Sequence, residues 1–343
     1  MNSSEQWMQR CLELAIKGEG FVEPNPLVGC IIVHGDKMVA EGYHETFGEA
    51  HAEVNAIKNL SSELDPSECT LYINLEPCSH HGKTPPCADL IIEKGFAKVV
   101  IGDLDPNPKV AGGGLAKLKQ AGIDTQVGVL SEQCRQINRR FYYYHTHKRP
   151  YITLKWAETA NGFIGRHRAE LHLSKQVSSN SSKAFVHHLR AIHRSIMIGS
   201  RTANQDNPKL TVRDWVGRNP LKLIVSKSNT INDGLQMFKE GETWIFNTLK
   251  EDDSDSPHYV KIKFHGFLEN MFRYLHDQGI QSVLVEGGAE LAQGLIDHNL
   301  WDEAYVIKSD VVWERGVKAP ILNASINREE NIGHDKISTY INS

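Results

Sequence analysis

Short apolar runs alternate with helix-patterned stretches twice along this chain of 343 residues, and a proline at 150 stands between the two series. A strand that feeds a helix and returns as another strand is the pattern of an α/β layer with a largely parallel sheet. In the first half the pattern predicts a helix near 5–17, with Trp7, Cys11, Leu14 and Ala15 on one face. It then predicts a strand at 29–33, a turn at 34–37 and a second strand at 38–44. Helices follow at 51–60, 88–94 and 112–122, with strands at 70–75, 99–102 and 124–130; a loop rich in His, Gly and Pro fills 76–86, and 131–150 reads as helix plus connector. The second half offers strands at 151–157, 195–199, 221–225, 243–246, 282–286 and 303–307, and helices near 180–191, 267–278 and 289–298. Two domains are expected, 1–148 and 149–343, in line with about 100–200 residues per domain.

Cysteine usage separates the halves further. All six cysteines (Cys11, Cys30, Cys69, Cys78, Cys87, Cys134) precede residue 135. Glu5, Arg10, Glu13 and Lys17 interrupt the apolar runs at the start, so a signal peptide is not expected. No stretch reaches the roughly 20 apolar residues of a membrane span. The expectation is a cytoplasmic protein with reduced thiols and no membrane partner. A net charge of −4 argues against a broad nucleic-acid face and leaves room for a local phosphate pocket.

The chemistry concentrates in His51-Ala52-Glu53, Pro77-Cys78 and Pro86-Cys87. One imidazole and two thiolates suit Zn²⁺ and leave a fourth tetrahedral position open, as catalytic zinc sites do. A water there would reach a pKa of about 7. Glu53 is too close to His51 for both to ligate easily and is placed to hold that water and move its proton. The set matches the zinc-deaminase signature except that eight residues, rather than two, separate the cysteines. A structural zinc site with His80 or His81 as fourth ligand is the plainer alternative, but it leaves Glu53 without a task.

The segments PNPLVGCIIV, GYHETFGEAHAEVNAI, NLEPCSHHGKTPPCADLI and GDLDPNPKVAGGG resemble the deaminase domain of the bifunctional deaminase–reductases of riboflavin biosynthesis, over about residues 1–145. The long Cys78–Cys87 loop is that family's own spacing. The resemblance implies a cytidine-deaminase-like three-layer α/β domain with His51, Cys78 and Cys87 as zinc ligands and Glu53 as proton shuttle. Its substrate would be a diaminopyrimidinone carrying a ribosylamino 5′-phosphate. Asn25, His44, His80, Lys83, Thr84, Asp105 and Asn107 become candidate substrate contacts, although Asn25, Asp105 and Asn107 also suit plain turns and the histidines plain exposure.

In the second half, SVLVEGGAELAQGLI ends a buried strand at Glu286, turns on two glycines and opens a helix, whose N-terminal N–H groups attract phosphate. It is not G-x-G-x-x-G, so an ordinary Rossmann site is not supported. With IGSRTANQDNPKLTVR and the helix bearing Arg190, it resembles the reductase domain of the same family from about residue 150, implying a dihydrofolate-reductase-like fold that uses NADPH. The resemblance places Ala157, Thr202, Asp206, Gly288 and Gly294 by the cofactor. It places Lys155, Ser174, Arg190, Leu210, Arg213 and Glu286 by the substrate, with Arg190 and Arg213 as phosphate clamps. The chain departs from the family pattern at Asn161, Gln176 and Ser226, where Asp, Trp and Asp are usual. The expected enzyme therefore deaminates the pyrimidine and then reduces the ribosyl group to ribityl. A deaminase with a non-reducing, ligand-binding second domain is the alternative. The resemblance is also compatible with a homo-oligomer.

Overall fold

The computed structural model describes residues 3–79, 85–108, 111–167, 176–253 and 256–342. The chain divides into two compact units, Met1–Lys148 and Arg149–Ser343. Among the described residues no helix is long and apolar enough to cross a membrane.

The first unit runs α1 (Ser3–Ile16), β1 (Gly29–His34), β2 (Lys37–Tyr43), α2 (Ala52–Lys58), β3 (Cys69–Leu75), α3 (Cys87–Lys94), β4 (Lys98–Asp103), α4 (Gly113–Gln120), β5 (Asp124–Val127), α5 (Ser131–Ile137) and α6 (Arg139–His147). Its sheet has the order β2-β1-β3-β4-β5. The largely parallel expectation is corrected here: β1 pairs antiparallel with both β2 and β3, and only β3-β4-β5 is parallel. The cause lies in the connection, because two residues between His34 and Lys37 close a hairpin, and a parallel return needs a crossover. The last strand also stops short of the expected 130, since Gly128 (φ 97°) turns the chain toward α5.

Alternating side chains of the central strands face two helix layers. Cys30, Ile32, Leu71, Ile73, Val99 and Ile101 pack with Ala52 and Ala56 of α2, Ile91 of α3 and Leu118 of α4. Ile31, Val33, Tyr72 and Val100 pack on Met8, Cys11 and Leu12 of α1 and Cys134 of α5. Strand neighbours pointing to opposite faces make this three-layer arrangement. The nitrogen Nδ2 of Asn55 donates to Tyr43 O and that of Asn59 to Glu41 O, tying α2 to β2.

The second unit runs β6 (Tyr151–Glu158), β7 (Phe163–Gly165), α7 (Ser181–Ala191), β8 (Ser195–Gly199), α8 (Ser200–Asp206), β9 (Leu221–Val225), β10 (Thr243–Asn247), β11 (His258–Lys261), α9 (Phe267–Asp277), β12 (Ser282–Glu286), α10 (Ala289–Asp297), β13 (Glu303–Lys308), β14 (Val317–Lys318), β15 (Ile326–Ile332) and β16 (Asp335–Ile341). Among the described residues nine strands form one sheet, β11-β10-β9-β8-β12-β6-β13-β16-β15. It is parallel through β13, and β16 and β15 add antiparallel at one edge. Residues 200–206, for which the pattern predicts no element, form α8, a helix of seven residues too short to carry a periodic signal. On one sheet face Leu154, Met197, Leu223, Phe246 and Val285 meet Met271 and Phe272 of α9 and Leu295 of α10. On the other, Ile196, Ile198, Ile224 and Leu284 meet Leu189 of α7 and Ala203 of α8.

Candidate active sites

In the first unit, two helix starts and one strap converge. His51 is the residue before α2, in extended conformation. Cys87 opens α3, and Cys78 follows the end of β3. The imidazole Nδ1 of His51 lies 3.3 Å from Cys87 Sγ and 3.7 Å from Cys78 Sγ. Ligand atoms of a tetrahedral zinc site, with bonds of about 2.0–2.3 Å, stand about 3.5–3.8 Å apart; both His51 distances come within a few tenths of an ångström of that, and all three donor atoms lie within 4.8 Å of one another. Among the described residues they form the one group of three His, Cys, Asp or Glu ligand atoms close enough to share a metal. Cys87 N–H donates to Cys78 Sγ at 3.3 Å, and the Cys87 side-chain bond together with His51 holds the Cys78 thiol well below the ordinary thiol range. A ready thiolate is what a zinc site requires. Hydrogen bonding to Cys78 raises His51.

Glu53 is buried on α2, its carboxyl against the Cys87 side chain. Burial pushes it up to about 7, against the pull of His51. A carboxyl in that range both accepts and returns a proton near neutrality. His44 is also buried, with its ring 5.4 Å from that of His51. Its Nδ1–H donates to Ala50 O at 3.0 Å, so Nε2 is the acceptor for Asn25 Nδ2 at 3.0 Å, and burial lowers its pKa. Asn25 and His44 therefore form a tautomer-fixed pair beside the metal ligands.

Glu76 was not anticipated. Its buried carboxylate accepts the backbone N–H groups of Asp105 (3.2 Å), Gly112 (3.0 Å) and Leu115 (3.0 Å). It thereby caps α4 and draws the loop around Asp105 and Gly112 onto the strap bearing Cys78. In that loop Asp105 Oδ1 accepts Asn107 N–H at 2.8 Å, and burial pushes the Asp105 carboxyl up to about 6. Gly114 belongs to the same joint: a Cβ there would sit 2.0 Å from Pro77 O. Sequence offered one sign of Glu76, an acidic residue ending the apolar run of β3. His80, Lys83 and Thr84 lie outside the described residues.

In the second unit the site gathers at the carboxyl ends of β6, β12 and β8, where ligands of parallel sheets bind. Lys155 and Glu286 are direct partners across β6 and β12, with Nζ 3.6 Å from Oε2. Arg190 of α7 meets Glu286 with two bonds, Nε–Oε1 at 2.7 Å and Nη2–Oε2 at 2.8 Å, and donates Nη1 to Thr211 O at 3.1 Å. Burial alone would raise Glu286, but Arg190 and Lys155 hold it down to about 2. Burial lowers Lys155, which Glu286 opposes. Both fork positions of Arg190 are thus taken by Glu286, whereas Arg213, an exposed residue bonded through Nη1 to Thr211 Oγ1 (2.9 Å), presents its guanidinium outward from the same segment. Leu210 precedes that segment, buried and left-handed (φ 57°), a conformation costly for a branched side chain.

Gly287 and Gly288 both have φ 78°, and a Cβ on Gly288 would approach Thr202 Oγ1 to 3.1 Å, so the glycine turn and Thr202 are adjacent. Gly294 is the sixth residue of α10, beyond the N–H groups a helix leaves open. Asp206 ends α8, and Ala157 lies two residues past Lys155 on β6. Ser174 lies outside the described residues. The departures are accommodated locally. Asn161 donates to Trp313 O (2.6 Å) and accepts from Thr159 Oγ1 (2.8 Å), Ser226 Oγ accepts Thr230 N–H (3.0 Å), and Gln176 bonds Ser178 O (3.2 Å).

A His–Cys–Cys set beside a buried glutamate on a three-layer unit, followed by an α/β unit with a charged cluster at its strand ends, defines a zinc-dependent deaminase joined to a nucleotide-using reductase. Comparison agrees for each half: residues 1–103 match the cytidine and deoxycytidylate deaminase zinc-binding region, and 150–309 match the RibD C-terminal domain. The riboflavin biosynthesis protein RibD of Actinobacillus pleuropneumoniae is 35% identical over 98% of this chain and 94% of that protein. The one from Synechocystis is 43% identical over 77% and 71%. A crystal structure of a diaminohydroxyphosphoribosylaminopyrimidine deaminase/5-amino-6-(5-phosphoribosylamino)uracil reductase from Thermotoga maritima, 34% identical, superposes with a TM-score of 0.89 over 99% of both chains. The chain belongs to the RibD family of bifunctional riboflavin-biosynthesis enzymes, with zinc as the cofactor of its deaminase half and NADPH as that of its reductase half.

Proposed function

We propose that the chain acts on 2,5-diamino-6-ribosylamino-4(3H)-pyrimidinone 5′-phosphate, replacing the exocyclic amine at C2 by oxygen with release of ammonia, and then reduces the ribosyl group of the product to ribityl. The observation that carries this reading is the cluster of His51 Nδ1 and two cysteine sulfurs, all within 4.8 Å of one another, beside the Glu53 carboxyl. His51, Cys78 and Cys87 would hold zinc, which when bound supplies a Lewis acid and lowers the pKa of water to about 7. Glu53 takes the proton of the attacking water at its carboxylate and returns it to the departing amine nitrogen, so that water and the aminopyrimidine become the pyrimidinone and ammonia. The Asn25–His44 pair borders the substrate on one side and the Asp105–Asn107 loop, tied down by Glu76, on the other. His80, Lys83 and Thr84 complete the assignment as ring and phosphate contacts.

In the second unit NADPH supplies the hydride to the sugar carbon. Gly288 and the start of α10, with Thr202, Asp206 and Ala157, receive the dinucleotide, and Gly294, with open space where a side chain would stand, gives it room farther along the same helix. Lys155, Ser174, Leu210 and Glu286 border the sugar. Arg213 faces the phosphate, and Arg190 holds the segment that carries it. The test is ammonia release and zinc content followed together. Wild-type protein should release ammonia and bind one zinc per chain in the first unit, chelation should abolish release, and Glu53→Gln should keep zinc while losing at least about 100-fold in rate. Full activity in Glu53→Gln would refute the assignment.

A further inference from the structure

The reductase assignment leaves several buried titratable groups without a task, among them His187, His193 and Lys222. His187 lies on α7 one turn before Arg190, so both point to the same side of the helix. It is only 4% exposed. Its two ring nitrogens are engaged by consecutive residues of the segment that follows α8. The Arg213 backbone N–H donates to Nδ1 at 2.9 Å, and Nε2 faces Asp214 Oδ2 at 3.4 Å. An N–H donor at Nδ1 requires that nitrogen to be bare, which places the single ring proton on Nε2, toward the aspartate. Two residues away on the same segment, Arg190 Nη1 holds Thr211 O. The helix therefore grips the segment at two points, the carbonyl of 211 and the amide of 213, and the side chain carried at the second point is that of Arg213.

We propose that His187 is a positioning residue for the reductase: by accepting the Arg213 amide at Nδ1 it fixes the guanidinium that receives the substrate phosphate, and a proton on Nδ1 releases it. This rests on the assignment of Arg213 as the phosphate-facing cation. Protonated imidazole has two donors and no acceptor, so the Arg213 N–H would then face another N–H. The surroundings favour the bare ring. Burial lowers the imidazole pKa, as do Arg190 on its own helix and Arg213 on the gripped segment. Asp214 on that segment and Glu286 at the end of β12 act in the opposite direction. The neutral form accordingly persists through neutrality and is lost on acidification below the ordinary histidine range, about 6.5.

The test compares full-length wild-type, His187→Leu, His187→Asn and Arg213→Ala enzymes in NADPH oxidation with the deaminated phosphorylated substrate. NADPH affinity serves as the control that the second unit remains folded. His187→Leu should raise KM about tenfold with kcat within about twofold, the cost of a lost hydrogen bond at a positioning contact. His187→Asn should recover most of the loss, because its Oδ1 accepts near where Nδ1 did. Between pH 7.5 and 5, wild-type kcat/KM should fall relative to that of His187→Asn, which carries no titrating ring. An unchanged KM in His187→Leu, or a His187→Asn variant as impaired as His187→Leu with the same pH profile as wild type, would overturn the proposal. An unchanged KM in Arg213→Ala would instead remove the phosphate assignment beneath it.

Discussion

Replacing Arg190 by Met should cost the second unit about 3–5 kcal/mol at pH 7. The substitution keeps the aliphatic stem and removes the fork that holds Glu286 at 2.7 and 2.8 Å, leaving a carboxylate with 9% side-chain exposure to Lys155 alone, 3.6 Å away. Stranding one partner of a buried pair costs about 3–5 kcal/mol. The protonation balance gives a similar figure: a carboxyl held from 4.5 down to about 2 contributes about 3 kcal/mol when fully ionised. The sign follows from the depressed pKa. Wild type gains this stability above pH 4.5 and loses it as pH falls toward 2, so the gap between the two proteins should be full at pH 7 and smaller by about 1 kcal/mol at pH 3.5. Urea unfolding followed by tryptophan fluorescence isolates the effect, because five of the six tryptophans (156, 215, 244, 301 and 313) belong to the second unit. A destabilisation under about 1 kcal/mol at pH 7, or a gap that does not narrow in acid, would refute the reasoning.

Other substitutions probe the joints around each site. Glu76→Gln replaces an acceptor for three amides by a group with one acceptor oxygen. It should raise the KM of deamination several-fold with zinc content unchanged, as read by ammonia release and metal analysis. Gly114→Ala puts a methyl 2.0 Å from Pro77 O and should lower both zinc content and ammonia release while NADPH oxidation on deaminated substrate is retained. Asn161→Asp sets an acceptor against the Trp313 carbonyl and should lower the tryptophan-monitored stability by about 1–3 kcal/mol.

The zinc ligands were legible because each is a local event: a residue at a helix start or at the end of a strand, with prolines before both cysteines. Glu76 was not, because its partners lie 29, 36 and 39 residues away and are brought to it by the parallel β3-β4 pairing. The same holds for Lys155 and Glu286, 131 positions apart in sequence and opposite each other only through the β6–β12 register. The family resemblance named both residues but not their union with Arg190. His187 was hidden for a related reason: its signal is a spacing of three from Arg190, common on any helix, and its meaning comes from a segment that α8 and the Leu210 turn redirect toward it. The polar hairpin β15–β16 escaped notice because its first strand is mostly exposed and shows no clean alternation.

The claim that two separate sites act in order on one chain is tested most directly by supplying the second site with its own substrate. Glu53→Gln enzyme given the diaminopyrimidinone should release no ammonia and oxidise no NADPH, yet given the already deaminated compound it should oxidise NADPH at the wild-type rate. NADPH oxidation by this variant on the diaminopyrimidinone, or none on the deaminated compound, would contradict the account.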